Sequence, residues 1–249
     1  MADVVGEDCF YERFWADSDY QLRYAYWSAV RDRFPALQRV WGTLAAPRRV
    51  LDYGSGNGVL SHWLAANGFG QSVLGVDVSR KGVGDANGNF GCERLQFQEL
   101  QDFEWAADSF DVVVSSHVLE HVEDPEAVMT RLGPLAEWFV FEVPLEDCWW
   151  VNLSAAWRGK SRGDNPLGHI NFWTRASFNE AVRRSGFIVV RDDRYASAPF
   201  FPTTGRFKSI LERTALALLG VETYGRLMAT HYIVLARKDP SDRRWRRAR

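Results

Sequence analysis

The sequence predicts an α/β protein built on a mostly parallel β-sheet. Seven apolar runs have the length of strands, and helical stretches separate most of them. A glycine-rich turn directly follows the first run. Ligands of open α/β sheets bind beyond the carboxyl ends of the strands, where such turns lie. The predicted strands are 49–53, 72–77, 94–98, 110–115, 136–143, 187–192 and 230–236.

The turn after the first strand is predicted to bind a nucleotide-like ligand. Gly54, Gly56 and Gly58 leave its backbone bare, and a helical run that begins at Val59 follows. The N–H groups of the turn and of the helix N-terminus would therefore face the ligand. A dinucleotide fingerprint is G-x-G-x-x-G, whereas the spacing here is G-x-G-x-G, with Val59 where the third glycine would stand. This spacing disfavours NAD.

Two acids accompany the turn. Asp52 lies two residues before Gly54, and Asp77 ends the next apolar run, where a carboxylate can accept hydrogen bonds from both ribose hydroxyls. Together with Phe97-Gln-Glu-Leu100 and the segment 108–122, which contains Leu-Glu-His-Val, this pattern resembles class I S-adenosylmethionine-dependent methyltransferases. Within that superfamily it is similar to the ubiquinone-pathway O-methyltransferases.

The resemblance implies a fold and a cofactor site. The fold is Rossmann-like: seven strands, mostly parallel, helices on both faces, the last strand antiparallel, an N-terminal helical cap and two insertions. In the family the first acid lies by the methionine moiety, the second holds the ribose, and the acidic turn after the third strand meets the adenine. Those roles fall on Asp52, Asp77 and Glu99, with the Leu100 N–H as an adenine contact. The full set assigned to S-adenosylmethionine, with S-adenosylhomocysteine as product, is Asp52, Gly54, Ser55, Gly56, Asp77, Val78, Glu99, Leu100 and Ser115.

Composition limits the function classes. The 249 residues, 46% of them hydrophobic, suffice for one domain. A net charge of −2 gives no basic field, so we expect a small-molecule substrate rather than nucleic acid. Three widely spaced cysteines and the lack of an apolar leader or span predict a cytoplasmic protein, monomeric or homodimeric.

We divide the predicted single domain, 1–249, by what each segment should do. The parts are an N-terminal helical cap (1–45), a cofactor-binding half (46–144), substrate-side insertions (145–170 and 195–229) and a solvated basic tail (241–249). In the cap, the aromatic residues Phe10, Tyr11, Phe14 and Trp15 are candidates to line the cofactor pocket.

Two helical stretches carry further expectations. Segment 82–91 is rich in glycine and asparagine, which predicts a short or frayed helix after Asp77. A face in the second insertion is apolar, which indicates core or dimer contact rather than a membrane anchor. Its residues are Phe207, Ile210, Leu211, Thr214 and Leu218.

Histidines are the candidate catalytic residues. His117, Glu120 and His121 stand at i, i+3 and i+4, so a helix that starts after the fourth strand would put them on one face. His169 is a third candidate, just before a helix capped by Thr174.

Three interpretations of these residues stay open. A neutral imidazole can take a proton from the acceptor. Alternatively, His117, Glu120, His121 and His169 resemble the E-x-x-E-H and downstream histidine with which small-RNA 2′-O-methyltransferases bind a divalent metal. His117 replaces the first glutamate of that motif, which would shift preference from magnesium towards manganese, iron or zinc. Thirdly, Glu120 and His121 could only fix the loop by hydrogen bonds.

The predicted function is methyl transfer from S-adenosylmethionine to oxygen or nitrogen of a small biosynthetic metabolite. The predicted catalytic residues are His117, His121 and His169, and no metal is assigned to them. The alternatives are a metal-dependent RNA 2′-O-methyltransferase and a non-catalytic module that binds S-adenosylmethionine. A dehydrogenase that uses NAD is a more distant alternative.

Overall fold

A computed structural model describes Trp15 and residues 32–146, 148–149, 153, 168–196 and 206–245. The described part contains a seven-stranded sheet with strand order β3-β2-β1-β4-β5-β7-β6. Its strands are β1 Arg49–Tyr53, β2 Ser72–Asp77, β3 Leu95–Glu99, β4 Val112–Ser116, β5 Trp138–Leu145, β6 Phe187–Tyr195 and β7 Thr230–Lys238. Its helices are α1 Phe34–Trp41, α2 Val59–Ala66, α3 Arg80–Phe90, α4 Pro125–Leu132, α5 Arg175–Arg184 and α6 Arg206–Leu227.

The predicted fold class is confirmed. All seven predicted strands are present within about three residues of their expected ends. The described pairings of β1, β2, β3 and β4 are parallel, and β7 runs antiparallel to β6. Apolar runs with both faces buried are typical of parallel strands, which explains why these strands could be read from the sequence.

The described residues divide into two compact units. The first comprises the residues up to Ser116 together with Leu132–Val140, and the second comprises His117–Arg131 and the residues from Phe141 onward. The single-domain prediction stays a prediction.

In the first unit, the parallel register brings three acids to the same edge of the sheet. Asp52 lies near the end of β1, and the last residues of β2 and β3, Asp77 and Glu99, are register partners. Since parallel strands end at one edge, the acids named for the cofactor lie at the carboxyl ends of neighbouring strands.

The predicted short or frayed helix after Asp77 is wrong. Helix α3 runs over 11 residues, and the Ser79 hydroxyl caps it by accepting a hydrogen bond from Gly82 N at 3.0 Å. Its side chains Val83 and Ala86 are buried. Capping and burial therefore outweigh the low helix propensity of the glycines and asparagines.

In the second unit, β6 and β7 form an antiparallel pair next to α5. Thr174 caps α5 as predicted, because its hydroxyl accepts from Ser177 N while the Ser177 side chain accepts from Thr174 N. Phe178 of α5 packs edge-on against Tyr232 of β7, with ring centroids 6.2 Å apart. Both side chains are fully buried and form part of the core of this unit.

The predicted core position of the apolar face of α6 is wrong. Phe207 is 82% exposed and Leu218 is 80% exposed, and Ile210 and Leu211 are exposed as well. Helix α6 is interrupted at Gly220, whose φ of 71° is not helical. Dimer contact through this face stays a prediction.

Several predicted segments lie wholly or partly outside the described residues. They are the cap residues Phe10, Tyr11 and Phe14, most of the insertion 145–170, residues 197–205 and the last four residues of the tail. Within the described ranges, no helix has both the length and the hydropathy that a membrane crossing needs.

Candidate functional site

The glycine turn after β1 has the backbone that its sequence predicts. Gly54, Gly56 and Gly58 all have positive φ, at 81°, 53° and 82°. A side chain at Gly58 would also collide with its surroundings, because a Cβ there would lie 2.7 Å from Cζ of Phe97. Gly58 is the residue before α2, so glycine is required where the turn enters the helix.

Asp77 fixes this turn. Its Oδ2 accepts a hydrogen bond from Gly56 N at 2.7 Å, and its Oδ1 accepts one from Ser79 N at 2.9 Å. A carboxylate has about four lone-pair sites, so Asp77 keeps capacity for ribose hydroxyls while it holds the loop. Val78, which is also assigned to the cofactor, lies between Asp77 and Ser79 in the sequence.

Asp52 is buried at 1% exposure and accepts a hydrogen bond from the Ser61 hydroxyl of α2 at 2.5 Å. Its register partner on β4 is Val114, and the next residue, Ser115, is fully buried. Within the part of the chain that the structure describes, the Ser115 hydroxyl has no hydrogen-bond partner. The structure thus brings Asp52 and Ser115 to adjacent strand ends, and their contact with the cofactor stays a prediction.

Glu99 lies at the end of β3 and is half-buried. Its Oε1 accepts from Arg80 Nε at 3.1 Å, and its Oε2 accepts from Gln101 Nε2 at 2.8 Å. Leu100 begins a 3₁₀ turn, Leu100–Asp102, directly after it. The adenine contact assigned to Glu99 and Leu100 stays a prediction.

The glycine turn also holds polar atoms that suit a polar ligand. The Ser55 hydroxyl and Asn57 Nδ2 are buried and have no hydrogen-bond partner among the described residues. Buried polar atoms without partners are rare and point to an absent ligand or water. A Cβ at Gly56 would overlap the indole ring of Trp15, so that ring lies against the turn. The residues present therefore fit S-adenosylmethionine.

The histidine segment after β4 differs from the prediction. Residues 117–124 form turns, and the next helix, α4, begins at Pro125, so the expected helix with three residues on one face is wrong. His117 has a positive φ of 57° and donates its N–H to the carbonyl oxygen of Glu142 at 3.1 Å. Because of this turn, the side chains of His117 and His121 contact different neighbours, although both lie near Glu120.

Glu120 is the centre of this segment. Its side chain is fully buried, and Oε1 accepts a hydrogen bond from His117 Nδ1 at 2.9 Å. Burial acts to raise the pKa of the Glu120 carboxyl, but the charge and hydrogen bond of His117, helped by His121 and His169, hold the pKa below its ordinary value. Its other oxygen, Oε2, has no hydrogen-bond partner in the described ranges.

His121 and His169 complete a first donor set with Glu120, in which one atom of each residue lies within 4.8 Å of the others. His121 Nδ1 donates to the carbonyl oxygen of Gly168 at 3.3 Å, and His169 Nδ1 donates to Glu146 Oε2 at 2.7 Å. With Nδ1 as the donor, Nε2 is the ring atom through which a neutral imidazole can accept a proton or bind a metal ion. Burial lowers the pKa of His121, against the opposing charge of Glu120, so this imidazole is neutral at neutral pH.

A second donor set comprises His117, Glu142 and His231. His117 Nε2 lies 3.1 Å from His231 Nδ1 and 3.2 Å from Glu142 Oε1. Sequence reasoning missed Glu142, Glu146, His231 and Tyr195, because each lies far along the chain from the Leu-Glu-His-Val segment. His231, one of five histidines, was the one signal that could have pointed to this set.

A family model described as a methyltransferase domain matches residues 20–192, more than half of the chain. The chain belongs to this family. The prediction of a class I S-adenosylmethionine-dependent methyltransferase, with S-adenosylmethionine as the cofactor, is confirmed at the level of the family. The comparisons do not identify the acceptor and do not support a metal.

Relatives in sequence match only part of their length. The ubiquinone biosynthesis O-methyltransferase of Aeromonas salmonicida is 36% identical over 94 residues, 35% of this chain and 38% of that protein. The protein of the same name from Aromatoleum aromaticum is 35% identical over 95 residues, 36% of this chain and 40% of that protein. The chain thus spans about two fifths of the relatives that it matches.

Solved structures support the fold. A Haloferax volcanii methyltransferase in complex with the Trm112 methyltransferase activator has a TM-score of 0.64 at 21% identity, covering 92% of this chain and 97% of that one. Phosphoethanolamine N-methyltransferase 2 of Haemonchus contortus, with phosphomonomethylethanolamine and S-adenosylhomocysteine, has a TM-score of 0.61 at 17% identity, covering 96% and 61%.

Proposed function

We propose that the protein transfers the methyl group of S-adenosylmethionine to an oxygen, or to a nitrogen, of a small biosynthetic metabolite. The observation that carries this proposal is the glycine turn, whose backbone Asp77 holds and whose Ser55 and Asn57 side chains present buried polar atoms without partners. A turn of this kind fits the polar parts of a nucleoside-containing cofactor.

In this proposal the cofactor residues keep their predicted roles. Asp77 accepts hydrogen bonds from the ribose hydroxyls, and Glu99 with the Leu100 N–H contacts the adenine. Asp52 lies by the methionine moiety, and Ser115 belongs to the same cofactor site. The sulfonium supplies an activated methyl group, so correct positioning provides much of the rate, up to about 7–11 kcal/mol for ideal orientation.

His121 suits the role of general base. Bound S-adenosylmethionine would give its methyl group to the acceptor's lone pair and become S-adenosylhomocysteine, a neutral thioether, and the acceptor would then have a proton to lose. The acceptor proton then passes to a neutral imidazole. His121 is held neutral by burial, and its hydrogen bond to Gly168 leaves Nε2 as the acceptor atom. We assign His169 to the same proton-transfer role, and His117, whose Nδ1 contacts Glu120, to positioning.

The relatives support both acceptor atoms. The sequence relatives are O-methyltransferases, which supports an oxygen acceptor, and one structural neighbour is an N-methyltransferase. Base catalysis is worth about 10²–10⁴-fold when the acceptor must lose a proton. We therefore expect His121→Gln to retain cofactor binding and to lose about that factor in kcat on a hydroxyl acceptor.

Calorimetric titration of S-adenosylmethionine and S-adenosylhomocysteine tests the cofactor part. We expect Asp77→Ala to abolish measurable binding, because it removes both the ribose acceptor and the hydrogen bond that holds Gly56. Asp85→Ala is the matched control, since Asp85 lies on α3 and pairs with Lys81. Wild type that binds neither compound would refute the proposal.

A screen of hydroxylated and amine metabolites tests the acceptor part. Turnover that His121→Gln reduces at unchanged cofactor affinity supports the proposal. Normal cofactor affinity without turnover of any acceptor would favour the non-catalytic module instead.

The second candidate is metal-dependent RNA 2′-O-methylation. The donor set of Glu120, His121 and His169 favours it, because one carboxylate and two imidazole nitrogens can hold a divalent cation. Those residues would fix the cation, which would polarise the acceptor hydroxyl. The net charge of −2 opposes an RNA substrate. RNA affinity that persists at raised salt and requires manganese would support this candidate.

A further inference from the structure

A second cluster of metal-ligating side chains contains none of the residues assigned to the cofactor. It comprises His117, Glu142 and His231, none of which ends or caps the glycine turn. We propose that these three residues bind one divalent transition-metal ion. The proposal goes beyond methyl transfer, and it does not depend on the identity of the acceptor.

The donor atoms have the spacing of a metal site. His117 Nε2 lies 3.1 Å from His231 Nδ1 and 3.2 Å from Glu142 Oε1, and His231 Nδ1 lies 3.8 Å from the same oxygen. Zinc binds nitrogen and oxygen at about 2.0–2.2 Å, so tetrahedral donors lie about 3.3–3.5 Å apart. An ion therefore fits between the three atoms with small side-chain movements.

The surrounding residues hold the donors in place. Tyr195 and His231 are register partners on β6 and β7, and their rings stack with centroids 5.0 Å apart and planes at 15°. The Tyr195 hydroxyl donates a hydrogen bond to Glu142 Oε1. These contacts fix the orientation of one imidazole and of the carboxylate, which lowers the entropic cost of binding an ion.

His117 is held equally firmly. Its Nδ1 donates to Glu120 Oε1, so Nε2 is the atom that faces Glu142 and His231. A carboxylate behind a ligating imidazole is the usual arrangement at metal sites, where it fixes the tautomer and raises the basicity of the ligand. The positive φ of His117 is unfavourable for a residue with a Cβ, and such strain is concentrated at functional positions.

The donor types indicate the class of ion. Two imidazoles and one carboxylate suit zinc, iron(II) or manganese, whereas magnesium and calcium prefer oxygen ligands. Glu142 is 1% exposed, and a divalent cation would compensate the charge of a carboxylate buried to that extent. Three protein ligands leave at least one coordination position for water or another oxygen ligand.

The other donor set, Glu120 with His121 and His169, is the competing location. In that set, His121 Nε2 lies 3.9 Å from Glu120 Oε1. This distance is longer than any of the three distances between donor atoms in the proposed site. Matched histidine variants can therefore separate the two sets, because His231 belongs to one and His169 to the other.

The experiment uses the full chain, first freed of metal by dialysis against a chelator. Zinc stoichiometry after gel filtration is measured by elemental analysis, affinity by competition with a chromophoric chelator, and ligand geometry by the visible absorption of added cobalt(II). The proteins are wild type, His231→Gln, His169→Gln and His62→Gln. Melting profiles and affinity for S-adenosylmethionine check that each variant folds.

We expect wild type to bind one zinc ion per chain. His231→Gln should weaken binding by at least about 100-fold and lose the cobalt absorption, since removing a ligand should cost no less than the 10–100-fold of an outer-shell residue. His169→Gln and His62→Gln should bind as wild type does. If His231→Gln does not fold, Glu142→Gln takes its place with the same expectation.

Three outcomes would overturn the proposal. They are wild type that binds no zinc at micromolar concentrations, zinc lost in His169→Gln but retained in His231→Gln, and equal loss in both. Each outcome is independent of S-adenosylmethionine binding, so failure here leaves the proposed cofactor site untouched.

Discussion

The glycine turn and the histidine cluster are built in contrasting ways. The histidine cluster is the group of side chains in the two donor sets: His117, Glu120, His121, Glu142, His169 and His231. The turn is one contiguous segment, Gly54–Gly58, and its shape is fixed by backbone conformation and by hydrogen bonds from its own N–H groups. The histidine cluster is assembled from side chains on separate segments, with His117 and His231 more than a hundred positions apart in sequence. The turn can therefore be recognised from spacing, whereas the cluster depends on the sheet order. Substitutions in the turn and substitutions in the cluster test this difference separately.

The largest effect is expected at the turn, from Gly58→Val. The substitution puts a β-branched residue at a φ of 82° and its Cβ against Phe97 and Ala86. Left-handed strain and overpacking together should lower the free energy of unfolding by roughly 2–5 kcal/mol. We also expect loss of S-adenosylmethionine binding. Urea denaturation and calorimetry measure the two effects.

Gly88→Ala is the matched control, because a Cβ at this α3 position would meet nothing within 4 Å. Alanine there should be stabilising by up to about 1 kcal/mol. If Gly58→Val unfolded at the same urea concentration as wild type, the claim that backbone geometry defines this region would be incorrect.

In the cluster, Glu120→Gln should have the next largest effect. Glu120 is fully buried and accepts from His117, so loss of its charge leaves the histidines without their common partner. We expect the free energy of unfolding at neutral pH to fall by about 2–4 kcal/mol. Urea denaturation measures it, with the half-buried surface variant Glu126→Gln as the control, for which we expect less than about 1 kcal/mol.

The effect of Glu120→Gln should depend on pH. The folded pKa of Glu120 lies below its ordinary value of 4.5, so its charge stabilises the fold above that pH and the stabilisation is lost as the pH falls through the folded pKa. The difference between wild type and variant should therefore shrink below about pH 4.5. A difference that grows on acidification would contradict the assigned role.

Ser61→Ala tests whether a side chain also supports the first region. The Ser61 hydroxyl donates to the buried carboxylate of Asp52 at 2.5 Å. Removing a donor to a charged group should cost about 1.5–3 kcal/mol in unfolding free energy. Urea denaturation measures the loss, and Ser72→Ala, which removes an exposed and long hydrogen bond of 3.5 Å, is the control. Equal stability of Ser61→Ala and wild type would show that the Asp52 contact adds nothing.

The same contrast explains what the sequence could predict. The strands, the turn and the positions of Asp52, Asp77 and Glu99 follow from local patterns and from the common edge of a parallel sheet. The helix expected at His117 was wrong because the turn there is fixed by contacts to Glu142, Ile170 and Asn171, residues that no local pattern connects to it. Glu142 and His231 become neighbours of His117 only through folding. Similarly, helix α3 forms despite the low helix propensity of its residues, because Val83 and Ala86 are buried.

The smallest effect concerns the acid sensitivity of the cluster, tested with His121→Gln. Burial lowers the folded pKa of His121 below its ordinary value of 6.5, so the unfolded chain binds the proton first as the pH falls. Stability should therefore decrease from about pH 6.5 downward, by at most about 1 kcal/mol to pH 5.5 from this residue. Melting temperatures across this range should fall less steeply in His121→Gln than in wild type or in His62→Gln. A variant with the slope of wild type would mean that His121 takes up its proton equally in the folded and unfolded chain, and a neutral base held by burial would then have to be sought at His169 or His117.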